Sequence, residues 1–288
     1  MSKVIVVRFD ENVKHSFDQA FKLVHIDDLN ALNRSVVVKV GVFSPRTGIH
    51  TTVDVIDSLI NALDKAPKIH LVESDSYGGP ASKRLEIWNE VFNERVVPFN
   101  LSTDESTREV KIADEKVALS IVVFKPNVFI STHVARRYQD AGSNDLMNIG
   151  SILKNLLGLV PDRKKYRFHE KLPAALLDIY EAIGGIDLAV LDGTYTFLGV
   201  KRKRNRVETK VVIIGRDAVS VEAVGACLVG QDPREMEVIK EAMNRGLGEG
   251  DVNKIEILGS SIEDLRQKNI QSFRELFPKK IQRMKGWI

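Results

Sequence analysis

The sequence predicts an α/β protein built on a mostly parallel sheet flanked by helices. Short β-branched runs alternate with longer helical patterns along the whole chain, as strand–helix–strand units do. The length of 288 residues, with 43% hydrophobic and 28% charged residues, suits an ordinary globular protein with a sizeable core. No internal repeat, coiled coil or low-complexity segment interrupts the alternation.

In order, Lys3–Phe9 reads as a strand and Val13–Val24 as a helix. Strand Ser35–Phe43 leads into helix Val53–Leu63, with Thr51 or Thr52 placed to cap it. Lys68–Ser74 and Val96–Leu101 read as strands around a helix at Ser82–Phe92. The run Ile121–Ile130 is the next strand, followed by helices over Asp145–Leu157 and Pro173–Ile183. Leu188–Leu191 is a strand, and Phe197–Val200 and Lys210–Gly215 read as two strands of a hairpin. Helix Ala218–Val229 has Asp217 as its N-cap, and Pro233–Arg245 is a second helix. Strand Lys254–Leu258 and a helical tail from Ser261 complete the pattern. The chain reads as one unit, 1–288. Within it, the turn-rich stretch Ser102–Arg108 divides an N-terminal lobe, 1–105, from a C-terminal lobe, 106–288, with a cleft between them.

Charge and cysteine content exclude several function classes. The net charge of +3, from 42 basic and 39 acidic residues, is smaller than a nucleic-acid surface usually carries. The one cysteine, Cys227, cannot form an internal disulfide or supply a Cys-rich zinc or iron–sulfur site. Its small apolar neighbours make it a packed thiol rather than a nucleophile. No apolar run approaches the roughly 20 residues of a membrane span. The opening run is too short for a signal peptide and is closed by Arg8, so a cytoplasmic protein is expected. The basic run Lys201–Arg206 has no interleaved aromatic residues for base stacking and reads as a solvated hairpin tip.

Three strand exits collect candidate ligand-binding residues, because open parallel sheets bind ligands beyond their carboxyl ends. In Ser44–Thr52, Arg46 and His50 could meet an anion at the amino end of the next helix. In Glu73–Pro80, Asp75 could bind ribose, phosphate or metal, or serve as a local cap. The third exit runs from Ser131 to His169. There Asn144, Asn148, Ser151 and Asn155 recur at helical spacing. Asn and Ser each disfavour helix by up to about 0.7 kcal/mol relative to Ala, so such a stripe needs a compensating contact. Lys154 adds a cation, and His133 and His169 flank the segment as acid–base or metal-ligating candidates.

These residues also carry a resemblance. The chain resembles the prokaryotic family catalogued as domain of unknown function 362. The likeness rests on Ser35–Phe43 with Lys39, on Thr132-His133, on Lys154-Asn155-Leu156-Leu157-Gly158-Leu159 and on His169. It continues through Leu191-Asp192-Gly193 and Gly215–Val224 to Gly246-Leu247-Gly248. Family members occur alone or joined to ferredoxin-like iron–sulfur modules. This chain carries no cysteine module, so it binds no cluster itself, and other cofactors are not indicated by the sequence. It also departs from the family pattern, with Ser131 in place of a common lysine and Gly41 in place of a usual asparagine. The Gly/Pro-rich loop expected after Gly193 is replaced by Thr194-Tyr195-Thr196-Phe197 and the basic run.

The leading expectation is a protein that binds a small anionic metabolite, and that could be an enzyme. Lys154 and Arg46 would neutralise the anion, and Asn148 and Asn155 would orient it. His133 would exchange protons with help from His169 or Asp192, and a metal at this site stays open. The alternative is a non-catalytic assembly partner of an iron–sulfur protein, and a homo-oligomer fits either reading. RNA binding through 201–206 is the weakest reading.

Overall fold

The computed structural model describes residues 1–9, 13–42, 45–137, 151–198 and 206–276. Its strands are β1 (Ser2–Arg8), β2 (Val36–Lys39), β3 (Ile69–Glu73), β4 (Val96–Asn100), β5 (Thr107–Ile112), β6 (Glu115–Ser120), β7 (Val128–Arg137), β8 (Leu188–Leu198), β9 (Arg206–Gly215) and β10 (Ile255–Gly259). Its α-helices are α1 (Val13–Val24), α2 (Val53–Ala62), α3 (Ala81–Leu85), α4 (Leu172–Ala182), α5 (Ala218–Leu228), α6 (Glu237–Asn244) and α7 (Ile262–Leu276).

Eight strands form one sheet in the order β10-β1-β9-β8-β7-β2-β3-β4. All neighbours run parallel except β9, which is antiparallel to both β1 and β8. The sheet runs across residue 105, with β1 lying among the C-terminal strands. Two apolar layers cover its faces. One includes Val4, Val37, Leu191 and Ile213 with α4 and α5, and the other includes Ile5, Val38, Val190 and Ile214 with α1 and α2. Adjacent residues of a strand face opposite sides, so alternate members of each Val/Ile run feed the two layers.

Several boundaries differ from the sequence expectation, each for a local reason. The strand expected at Ile121–Ile130 begins instead at Val128 and runs to Arg137, after a 3₁₀ turn at Ile121–Val123 and a cis Lys125–Pro126 bond. Pro126 supplies no ladder N–H, and β7 starts beyond it. The helix expected at Ser82–Phe92 is α3 followed by a 3₁₀ turn that kinks at Trp88. Residues 107–120, not assigned to strands from the sequence, form the β5–β6 hairpin. Of the hairpin strands expected at Phe197–Val200 and Lys210–Gly215, Phe197 and Leu198 end the longer β8 and Lys210–Gly215 belongs to β9, and β8 and β9 pair antiparallel. Residues 199–205 at their junction lie outside the described residues.

Two helix caps sit at opposite edges of the sheet, because β9 runs against its neighbours and ends beside the starts of β1 and β8. Asp217 caps α5 as expected, accepting the Val219 and Ser220 amides, and its other oxygen accepts Glu249 N–H. The α2 cap corrects the expectation. Thr52 holds the N-cap position without a side-chain cap bond, and the Asp192 carboxylate reaches over from β8 to accept Thr52 N–H at 2.7 Å and Thr52 Oγ at 2.9 Å. Among the described residues no helix is long and apolar enough to cross a membrane.

Candidate anion-binding site

The sheet order reverses at β2. From β2 the chain steps outward to β3 and β4, and later returns to β2's other side as β7. In open α/β sheets such a switch point leaves a crevice beyond the carboxyl ends of the strands. Asn155 occupies this seam. Its amide donates to Lys39 O on β2 and to Thr132 O on β7, each at 2.9 Å, and to Ser131 Oγ at 3.2 Å. Its carbonyl accepts the Lys39 ammonium at 3.0 Å. Asn155 therefore fastens the two strands together, and its polar groups are used up within the protein.

Lys39 is fully buried and donates to Val40 O, Asn155 and Glu73. Burial holds its ammonium below the ordinary lysine range, and the Glu73 carboxylate opposes that shift. The other Glu73 oxygen meets Arg84 Nη2 at 2.7 Å. Arg84 also donates to Val42 O and Ser74 O. Lys165 comes from another element and donates to Ser74 Oγ and Asp75 O. Burial pulls Lys165 down to about 8. Gly158 makes room for this cluster, since a Cβ there would lie 2.5 Å from Lys39 Cε and 2.7 Å from its Nζ. Three cations thus gather around the single carboxylate of Glu73.

His133 sits in β7 rather than before a helix, and is buried. Its Nδ1 accepts the Val134 amide at 2.7 Å, which places the proton of the neutral ring on Nε2. Its pKa lies well below the ordinary value, first because of burial and then because of Arg136, Lys39 and Lys154, all positive. Gly41 lets the ring approach β2, because a Cβ on it would lie 2.8 Å from both His133 Cα and Nδ1. His169 is also shifted down, by burial and by Lys154. The Lys154 charge therefore acts on both histidines in the same direction.

The turn that carries Lys154 is held from below by Glu222 of α5. The Glu222 carboxylate accepts Leu153 N–H at 2.9 Å, with further bonds from the Ser151 and Ile152 amides. Burial outweighs these bonds and the Lys154 charge, and pushes Glu222 up to about 7. Sequence reasoning missed Glu222, Arg84 and Lys165. The first signal lay in a glutamate inside the otherwise small and apolar stretch Ala218–Ala226.

The remaining candidates fall elsewhere. His50 lines a separate cleft of about 160 Å³ with Thr52, Asp192, Tyr195 and Arg206. Val134 also lines it, and as the strand neighbour of His133 it points to the opposite face. His50 and His133 therefore serve different surfaces. His50 Nδ1 donates to Thr51 O, leaving Nε2 as an acceptor. The Asp192 carboxylate accepts from Thr52 and from Thr194 N–H at the edge of this cleft. Asp75 is a local cap, accepting Ala81 N–H and Asn100 while pairing with Arg163. The Arg46 side chain, Asn144 and Asn148 lie outside the described residues, and Lys154–Leu159 is a 3₁₀ segment where an α-helix was expected. Among the described residues no group of three or more His, Cys, Asp or Glu side chains converges to hold a metal.

A family model described as Domain of unknown function (DUF362) matches residues 36–227. That span contains Lys39, Glu73, Arg84, His133, Lys154, Asn155, Lys165, His169 and Glu222. No curated protein matches the chain.

Proposed function

The chain belongs to this family of unknown function, and from that premise we propose that it binds a small anion where β2 meets β7. The carrying observation is the crowding of the buried cations Lys39, Arg84 and Lys165 on the one carboxylate of Glu73 at this seam, where Gly158 leaves room beside them. Such a concentration of buried positive charge is costly unless compensated, and a bound anion would compensate it. His133 would donate from Nε2, and Lys154 and His169 would complete the contact. In an enzyme built on this site, a neutral imidazole with Nδ1 engaged acts first as a hydrogen-bond donor to developing negative charge. Asp192 plays no part in this version of the site, and Asn155 holds its frame.

The test uses sulfate, which keeps its charge across the neutral range. Calorimetric titration of the wild-type protein should show saturable binding, weakened about tenfold, or roughly 1.4 kcal/mol, in Lys154→Ala. Binding equal in both proteins, or none in either alongside phosphate and small carboxylates, would remove the reading.

Glu222 adds a pH dependence. Its folded value of about 7 exceeds the ordinary 4.5, so the folded state holds the proton to higher pH. Stability from this group is fully present below pH 4.5 and is lost as pH rises through about 7. Deprotonation also places a negative charge beside Lys154. Sulfate affinity should therefore rise several-fold from pH 8 to pH 6, and Glu222→Gln should flatten the profile. A wild-type profile already flat over that interval would rule out this role of Glu222.

A further inference from the structure

We propose a second ligand site, for an organic anion with an apolar body, in the cleft enclosed by α5, α7 and β10. The cleft measures about 940 Å³, which matches the size of small-molecule sites. It opens on the face of the sheet covered by α4 and α5, and it does not include His133, Lys154 or His169.

Its two sides differ in chemistry. Val224, Met236, Ile257 and Ile262 supply an apolar wall continuous with the core. At the floor lies Arg137, the last residue of β7, only 4% exposed. Its Nη1 donates to Val229 O and Gly230 O, where the chain leaves α5 and Gly230 turns at a φ of +70°. Burial and the nearby Arg266 charge lower the guanidinium to about 10, so it stays a cation at neutral pH.

The remaining charges sit higher in the cleft and largely cancel. Arg234 pairs with Asp232 and Arg266 with Glu263. The exposed Glu235 is left at the rim, where it acts on Arg137 from outside. A cation below, an apolar wall beside it and an acidic rim select a ligand oriented with its anionic head inward. A carboxylate, sulfonate or phosphate head would meet the guanidinium, and an acyl or aryl body would cover the wall. Metal or thiol chemistry is not part of this site. Cys227 lines the cleft, but burial pushes its thiol up to about 11.

Cys227 is the one cysteine of the chain, which makes it a reporter of occupancy. The probe is 8-anilinonaphthalene-1-sulfonate, an aryl sulfonate, titrated against the folded full-length protein. The expected result is one saturable site per chain, with alkylation of Cys227 by N-ethylmaleimide slowed several-fold at saturation. Val252→Trp, which fills the cleft from its half-buried side, and Arg137→Gln should each weaken the probe about tenfold. Lys154→Ala should leave it unchanged, which separates this site from the anion site at β2 and β7. Arg137→Gln is read only if its circular dichroism matches wild type; if it does not fold, Val252→Trp and Cys227 protection decide. Probe binding that leaves Cys227 unprotected, or that survives Val252→Trp, overturns the proposal, as does the absence of a saturable site.

Discussion

Replacing Glu73 with glutamine is expected to destabilise the protein by about 3–5 kcal/mol, the usual cost of stranding a buried charge. Glu73 is the carboxylate on which both Lys39 and Arg84 converge, and both cations are nearly inaccessible to water. Glutamine fits the volume and still offers one acceptor, so lost packing contributes little to the effect. What disappears is the negative charge, and Lys39 cannot seek solvent. A second variant separates charge from shape. Lys39→Met in the Glu73→Gln background removes one stranded cation, and it should recover at least about 1.5 kcal/mol, the scale of coupling between residues in one network. Urea denaturation of the wild type, both single variants and the double variant measures the cycle. A loss under 1 kcal/mol in Glu73→Gln, or no coupling with Lys39, would mean that the cluster reorganises or sheds a proton instead.

Asn155→Ala is expected to cost about 3 kcal/mol and to abolish sulfate binding. The side chain donates to the carbonyls of Lys39 and Thr132 and accepts from the Lys39 ammonium, all inside the protein. Each buried polar group left unmatched costs roughly 1–3 kcal/mol. An alanine cannot replace any of these bonds. Its effect should also differ in kind from that of Lys154→Ala, which is half-exposed and should weaken sulfate with little loss of stability. Comparing unfolding free energies with sulfate affinities for the two variants distinguishes them. Asn155→Ala with native stability would show that β2 and β7 hold together without it.

Much of the fold was legible because its signals are local. Alternating apolar runs located the strands of the large sheet, and α1 falls on the expected Val13–Val24. The β5–β6 hairpin was not legible because Glu109, Lys111, Glu115 and Lys116 give its exposed side the look of a loop. Its apolar side, with Ile112, Val117 and Leu119, rests against the core but is too brief to read as a period. The site divides in the same way. Lys154, Asn155, His133 and His169 lie within one stretch of sequence, and the Lys154 charge reaches both histidines. Lys39, Glu73, Arg84 and Lys165 come from four separate segments, and only the sheet order brings them together. A signal was nonetheless present at Lys39. A lysine among Val36, Val37, Val38 and Val40, in a strand covered on both faces, requires a buried partner.

The position of β1 has a consequence for how the chain is made. Ser2 pairs with Ile255 and Val4 with Ile257, while β9 flanks the strand on its other edge. No strand made before β9 pairs with β1. At typical translation rates the first strand waits roughly 10–50 seconds for its neighbours to emerge. Throughout that interval α1 can cover Ile5 on one face, while both edges of β1 stay unpaired. Strands β9 and β10 thus act as a clasp: β1 is secured in the sheet only once they have been made.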